Sequence, residues 1–187
     1  MVAFLTNVDT SLGQAFYAVR DPSMVQFFIW VTQLGSSTTV IGLTLTAVII
    51  FVYRKKIPEA AGLIASVAGS AATVYILKEI IARPRPISSI PAYIETSYSF
   101  PSGHAALAVA LYGFLLWATY DAMPSLWKKL TVTSAGILIL AIGYSRLYLG
   151  VHYLSDVVAG YLLGGIFVAV GIKITKKLKT PVTSVLK

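Results

Sequence analysis

The chain has 187 residues, 57% hydrophobic and 12% charged, where a soluble domain usually carries about 25% charged residues. The apolar residues come in long blocks, which excludes an ordinary soluble domain and points to one integral membrane domain with no room for a separate soluble module. A net charge of +8 would suggest nucleic acid as partner of a soluble protein, but here the basic residues abut apolar blocks, so none is expected; the absence of cysteine excludes disulfides, thiolate chemistry and Cys-bound metals.

Residues 1–21 are mixed in character and include Asp9, Arg20 and Asp21. They lack a basic stretch followed by an apolar run, so no cleaved signal peptide is expected. Pro22 is placed to open a helix with Asp21 as its N-cap. The apolar segment 22–34, with Phe27, Phe28 and Trp30, would be about 20 Å long as a helix. That is too short to span a bilayer alone. It lies in the interface or runs on through Gly35-Ser36-Ser37, and residues 1–36 are expected to form an N-terminal interfacial segment.

Five spans follow, at about 37–53, 59–81, 103–120, 130–148 and 153–173. Each is close to the roughly 20 residues that cross about 30 Å of hydrocarbon. Arg54-Lys55-Lys56 follows the first span, Lys128-Lys129 lies between the third and fourth, and Lys176, Lys177 and Lys179 follow the fifth. Alternating spans put all three groups on one side, which basic residues mark as cytoplasmic. The connections 82–102 and 149–152 then face the other side, with Met1 outside and Lys187 inside. The 82–102 connection holds Pro84, Pro86, Pro91 and Pro101, which exclude a continuous helix. Its Tyr93, Tyr98 and Phe100 suit a loop resting on the headgroup layer as a rim over a site.

The polar clusters fall at the outer ends of spans two to five. Lys78 ends span two, and Arg83-Pro84-Arg85-Pro86 follows. Alone, these cations read as anchors at the membrane boundary; Arg83 fits an anchor as well as a ligand contact, while Glu79 points away or pairs locally. Beside two histidines they form a clamp for a phosphoryl group. Pro101-Ser102-Gly103-His104 opens span three. Gly103 lets a ligand approach the backbone, and the free N–H groups of a helix start bind anions. The plainer alternative is a Pro-Ser-Gly turn carrying a surface histidine. Ser145-Arg146 ends span four, and Gly150 precedes His152 and Asp156. Four residues apart, these two share a helix face. The carboxylate can hold one ring proton and leave the other nitrogen as nucleophile or base. The alternative is a helix-stabilising pair, but an aspartate at the membrane boundary is costly without a partner. Two histidines and an aspartate are also metal-ligand types, yet the neighbouring cations oppose a divalent ion. Gly160 and Gly164 in span five form a GxxxG pattern, read as packing within the chain.

Together these clusters resemble the type 2 phosphatidic acid phosphatase family, relatives of the vanadium-dependent haloperoxidases. Its three motifs are Lys78 with Arg85-Pro86, then Pro101-Ser102-Gly103-His104, then Ser145-Arg146 with His152 and Asp156. The resemblance implies an all-α polytopic transmembrane helix bundle with a PAP2/haloperoxidase-like core and the site on the outer face. Membrane members usually have six spans, and the one this chain lacks is the first. Carried over, the roles are His152 as nucleophile, Asp156 as its orienting carboxylate and His104 as acid and base. Lys78, Arg85, Arg146, Ser102 and the Gly103 N–H hold the phosphoryl oxygens. The resemblance implies metal-independent hydrolysis of a lipid phosphate through a phosphohistidine, with no cofactor and a membrane lipid as partner. A polyprenyl diphosphate such as undecaprenyl diphosphate is favoured. Phosphatidylglycerol phosphate, phosphatidic acid and lipid A phosphates are alternatives, as is a non-catalytic lipid-phosphate-binding membrane protein. The small size and short loops resemble a bacterial or archaeal member, and a haloperoxidase is disfavoured because those relatives are soluble.

Overall fold

The computed structural model describes residues 2–18, 20–86 and 95–180, with side chains in the first helix from residue 8 onward. Among these residues the order is α1 (Val2–Ala18), α2 (Pro22–Gln33), α3 (Ser37–Tyr53), α4 (Ile57–Ile81), α5 (Gly103–Ala108), a π-helical turn Val109–Gly113, α6 (Phe114–Tyr120), α7 (Ser125–Tyr148) and α8 (Leu154–Lys179). The chain is an all-α, multi-pass bundle. Pro22–Tyr53, Ile57–Ile81, Gly103–Tyr120, Ser125–Tyr148 and Leu154–Lys179 are each long and apolar enough to cross a membrane.

The bundle is apolar on its outside. Ile41, Leu45, Ile49, Ile80, Ile137, Leu140, Leu162 and Ile166 are all exposed, as lipid-facing positions must be. Its interior has two parts. Val40, Phe51, Leu63, Leu107, Leu111 and Phe114 form an apolar core where α3, α4 and α5–α6 meet. Beyond it, Lys78, Ser99, Ser102, Arg146, His152 and Asp156 are all buried.

The N-terminal region is helical. Residues 2–18 form one helix. Asp21 caps α2, accepting from Ser23 N at 2.9 Å and Met24 N at 3.3 Å. A turn at 34–36 separates α2 from α3, and Ser36 caps α3 by accepting from Thr39 N at 3.3 Å. The later helices overrun the expected spans. α7 starts at Ser125 behind Pro124, and α8 runs to Lys179. Lysines are tolerated in these end turns because their stems lie along apolar surface while the ammonium reaches out; Lys179 also meets buried Glu59 at 2.9 Å.

Glycines set the closest helix approaches. A Cβ on Gly160 would lie 2.6 Å from Ser102 O and 2.9 Å from Ala105 Cβ, and one on Gly164 would lie 2.5 Å from Ala106 O. The GxxxG pattern therefore seats α8 on α5 of the same chain.

Of the 82–102 connection, residues 87–94 lie outside the described residues, and with them Pro91 and Tyr93; so do Met1 and residues 181–187. The described end is part exposed and part buried: Tyr98 is 41% exposed. Ser99, Pro101 and Ser102 are buried within the bundle; Ser99 and the Ser102 N–H bond the helix ends described next.

Candidate active site

Four helix ends and one returning segment build the site. α4 stops at Ala82, whose φ of 47° is left-handed; the Arg83-Pro84 pair that follows disfavours further helix. Lys78 is thereby left in the last turn of α4, with Arg83 and Arg85 on the extended chain beyond it. α7 ends with Gly150 at φ 68°. Gly150 N donates to Leu147 O and Val151 N to Arg146 O, the Schellman closure that a glycine permits. This turn places Arg146 in the last turn of α7 and delivers His152 directly to α8. At the α8 start, Tyr153 N donates to Asp156 Oδ2 at 2.9 Å. Asp156 thus serves as a helix cap as well as a site residue, so the helix-stabilising alternative is part of its role.

His152 has a different partner on each ring nitrogen. Nδ1 lies 3.4 Å from Asp156 Oδ2 and 3.5 Å from Ser99 Oγ. Nε2 lies 3.3 Å from Arg85 Nη1. Burial pushes the imidazole down to about 3; Asp156 opposes this, and Arg146 and Arg85 add to it. It is therefore neutral at physiological pH. Ser99 Oγ also donates to Asp156 Oδ2, and Ser102 N donates to Asp156 O at 3.0 Å.

The cations are organised by the segment 95–99. Arg85 donates to Ser97 O and Val151 O, both at 2.7 Å. Lys78 Nζ donates to the Tyr98 carbonyl and approaches Ser97 Oγ at 3.4 Å. Arg146 is 0% exposed and donates to Thr32 Oγ1 at 2.9 Å and to Glu95. Arg85 meets the same carboxylate at 3.5 Å. Burial alone would raise the Glu95 carboxyl, but Arg146 and Arg85 outweigh burial and hold it below the usual range.

All eight residues expected from the sequence lie at one end of the bundle. Arg85, His152 and Asp156 are in direct contact; Lys78 joins Arg85 through Ser97, and Arg146 joins it through Glu95. Among the described residues, no hydrogen bond joins His104 to them. Arg146, His152, Arg85 and Lys78 act on it electrostatically, and among the described residues its buried Nε2 has no hydrogen-bond partner, nor has Ser102 Oγ. Buried polar atoms in native structures are normally bonded, so both fit a site that receives a polar ligand. Gly103 is uncrowded: a Cβ there would meet only Val74 Cγ1, at 3.6 Å.

Sequence reasoning missed Asp9, Thr32, Glu95, Ser97 and Ser99, and did not resolve Arg83. Arg83 neither anchors nor faces the cation cluster; it pairs with Asp156 at 2.6 Å and Asp9 at 2.9 Å. Burial lowers its guanidinium, but these two carboxylates outweigh burial and raise it. Glu95 is the single acid in the 82–102 connection, a signal that was available. A small cleft at His152 is lined by Asp9 and Tyr153 together with Leu12, Phe16, Leu147 and Leu154.

Comparison with known proteins gives the same grouping. Residues 59–179 match the model of the PAP2 superfamily. Phosphatidylglycerophosphatase B of Bacillus subtilis is 33% identical over 162 residues, 84% of this chain and 78% of that protein. Undecaprenyl-diphosphatase of Sulfolobus acidocaldarius is 36% identical over 111 residues, 56% of this chain and 50% of that one. The crystal structure of a transmembrane PAP2-type phosphatidylglycerolphosphate phosphatase from Bacillus subtilis superposes with a TM-score of 0.84 at 29% identity, covering 93% of this chain and 87% of that one. The chain belongs to the PAP2 superfamily and is an integral-membrane lipid phosphatase.

Proposed function

We propose that this member of the PAP2 superfamily hydrolyses a lipid phosphate on the outer face of the membrane through a phosphohistidine at His152. The observation that carries this is the division of labour on one imidazole. Asp156 faces Nδ1 and Arg85 faces Nε2. A carboxylate on Nδ1 keeps the proton there, which leaves the Nε2 lone pair as nucleophile. A cation beside Nε2 suits a phosphoryl group arriving at that nitrogen.

In the first step the Nε2 lone pair attacks phosphorus and the bond to the leaving oxygen breaks. His104 gives a proton to that oxygen. In the second step His104 takes a proton from water as its oxygen attacks phosphorus. The N–P bond breaks and inorganic phosphate leaves. Asp156 stabilises the positive imidazole between the steps. Lys78, Arg85, Arg146, Ser102 Oγ and the Gly103 N–H hold the phosphoryl oxygens, where charge builds up in the transition state. Three cations supply the charge neutralisation, and no metal takes part in this scheme.

Phosphatidylglycerophosphate is the first candidate, because similarity to a protein of that specificity runs over 84% of this chain. A polyprenyl diphosphate, which the sequence puts first, is the second, favoured by the shorter match to an undecaprenyl-diphosphatase. The outer-face assignment rests on the basic residues at the ends of α3 and α8 and the start of α7, opposite the histidines.

Purified protein in detergent should release phosphate from a panel of lipid mono- and diphosphates in excess EDTA, with vanadate inhibiting. Complete and reversible loss of turnover on chelation would overturn the scheme. Binding of every lipid phosphate without turnover would leave a lipid-binding protein instead.

A further inference from the structure

Asp9 has no part in the chemistry above, yet it is 4% exposed and receives three hydrogen bonds. Ser155 N donates to Oδ1 at 3.0 Å, and Ser155 Oγ and Arg83 Nη2 donate to Oδ2 at 2.6 and 2.9 Å. The other terminal nitrogen of Arg83 donates to Asp156 Oδ1 at 2.6 Å and to Ser155 Oγ at 2.7 Å. One guanidinium therefore bridges two carboxylates, and the Tyr153 ring lies 4.0 Å beneath it. α1 reaches the nucleophile through this chain of contacts: Asp9, Arg83, Asp156, His152.

Arg83 is 25% exposed, and desolvation offsets part of the attraction in such a pair, so stapling α1 is not its main effect. The bridge has a different consequence. Arg83 paired with Asp156 alone would draw on the carboxylate that must stabilise the positive imidazole. Asp9 shares that positive charge, so Asp156 keeps more of its own for His152.

We propose that Asp9 is a positioning residue for the hydrolysis, dividing the charge of Arg83 so that Asp156 remains an effective partner of His152. This rests on the phosphohistidine reading. It assigns α1 a part in catalysis through a residue that touches neither substrate nor phosphate.

The test is steady-state kinetics of the full chain in detergent on phosphatidylglycerophosphate and on a polyprenyl diphosphate, using whichever is turned over. Asp9→Asn keeps an acceptor for Ser155 and removes the charge. Its kcat should fall roughly tenfold, the effect of about one pKa unit on the imidazole, while KM stays within about twofold because no phosphate contact changes. The double variant Asp9→Asn/Arg83→Gln removes the undivided guanidinium as well. It should be faster than Asp9→Asn and recover to within about threefold of wild type, because coupled charges do not add. A merely structural bridge predicts the reverse, a double variant no faster than the single. That result, or an Asp9→Asn enzyme with wild-type kcat, would overturn the proposal. If Asp9→Asn alone does not fold, as read by thermal unfolding, the charge-balanced double variant decides: slower than threefold below wild type overturns, within it supports. His152→Ala run alongside separates the two levels. Turnover by that variant would sink the phosphohistidine reading and this inference with it. An inactive His152→Ala beside an unaffected Asp9→Asn would sink this inference alone.

Discussion

Glu95 and Arg146 face each other inside the site, the carboxylate accepting from a guanidinium that has no solvent exposure. Arg85 approaches the same carboxylate at 3.5 Å. Two of the three cations assigned to the phosphoryl oxygens therefore already hold an anion, supplied by the segment between α4 and α5. A phosphate entering the site competes with Glu95 for them.

Glu95→Gln should therefore bind phosphate analogues more tightly. Vanadate should inhibit this variant at an about fivefold lower concentration than wild type, a change of ~1 kcal/mol. Unchanged or weaker inhibition would mean that Glu95 does not compete for the cations.

The two histidines should fail differently. His152→Ala should lose on the order of 10⁴-fold or more in turnover while remaining folded, as removal of a nucleophile does. His104→Ala should also lose turnover on lipid substrates, but still accept phosphate from a substrate whose leaving oxygen needs no proton. Labelled phosphoenzyme trapped in His152→Ala and not in His104→Ala would exchange the two roles.

Acid should destabilise the protein through His152. Its imidazole sits at about 3 against an ordinary 6.5. Between those values the unfolded chain binds a proton that the folded chain does not. Stability therefore rises with pH and is lost as pH falls from 6.5 toward 3, by at most ~1.4 kcal/mol per pH unit. Glu95, held below its ordinary 4.5, adds a loss in the same direction in stronger acid. Thermal unfolding in detergent at pH 7 and pH 5 should show a drop for wild type and a smaller one for His152→Gln. Equal drops would assign the effect to another group.

Gly160→Ala should impair catalysis without touching a phosphate ligand. The new Cβ would stand 2.6 Å from Ser102 O, so α8 must move off the start of α5. That carries His152 and Asp156 away from Ser102 and His104. A loss of about tenfold or more in kcat/KM is expected, since small misplacements of reacting groups are costly, with a stability loss of ~1–3 kcal/mol from overpacking. Gly165→Ala, where a Cβ meets nothing within 4 Å, is the control and should behave as wild type. Equal effects of the two substitutions would remove packing as the cause.

Orientation is open to labelling because the chain has no cysteine. A cysteine at Ser89 should react with an impermeant maleimide in intact cells, and one at Ser125 should not. Labelling at position 125 alone would invert the topology and remove the outer-leaflet substrate.

The multi-pass architecture was legible because apolar runs of about 20 residues report membrane crossing directly from local composition. The family was legible for a related reason. Pro101–His104 is contiguous, and His152 and Asp156 are one helical turn apart, so their geometry is set within a few residues of chain. Gly150 likewise ends α7 by a local rule, its φ of 68° being easy only for glycine.

What only the tertiary structure decided are the charges that meet across the bundle. Glu95 reaches Arg146 from 51 residues away, and Asp9 reaches Arg83 from 74. Thr32, on a segment whose sequence reads as interfacial or as running on into the next span, belongs to no motif and yet accepts from Arg146. Nothing in the residues beside Asp9 distinguishes a buried ligand of an arginine from a solvated acid in a mixed segment. That difference depends on which helix end lies next to α1. It follows from close packing of α8 on α5 through Gly160 and from the returning segment 95–102. Local spacing determines which side chains can perform the chemistry; the distribution of charge among them is set by long-range packing, because Coulomb interactions depend on distance in space and not along the chain.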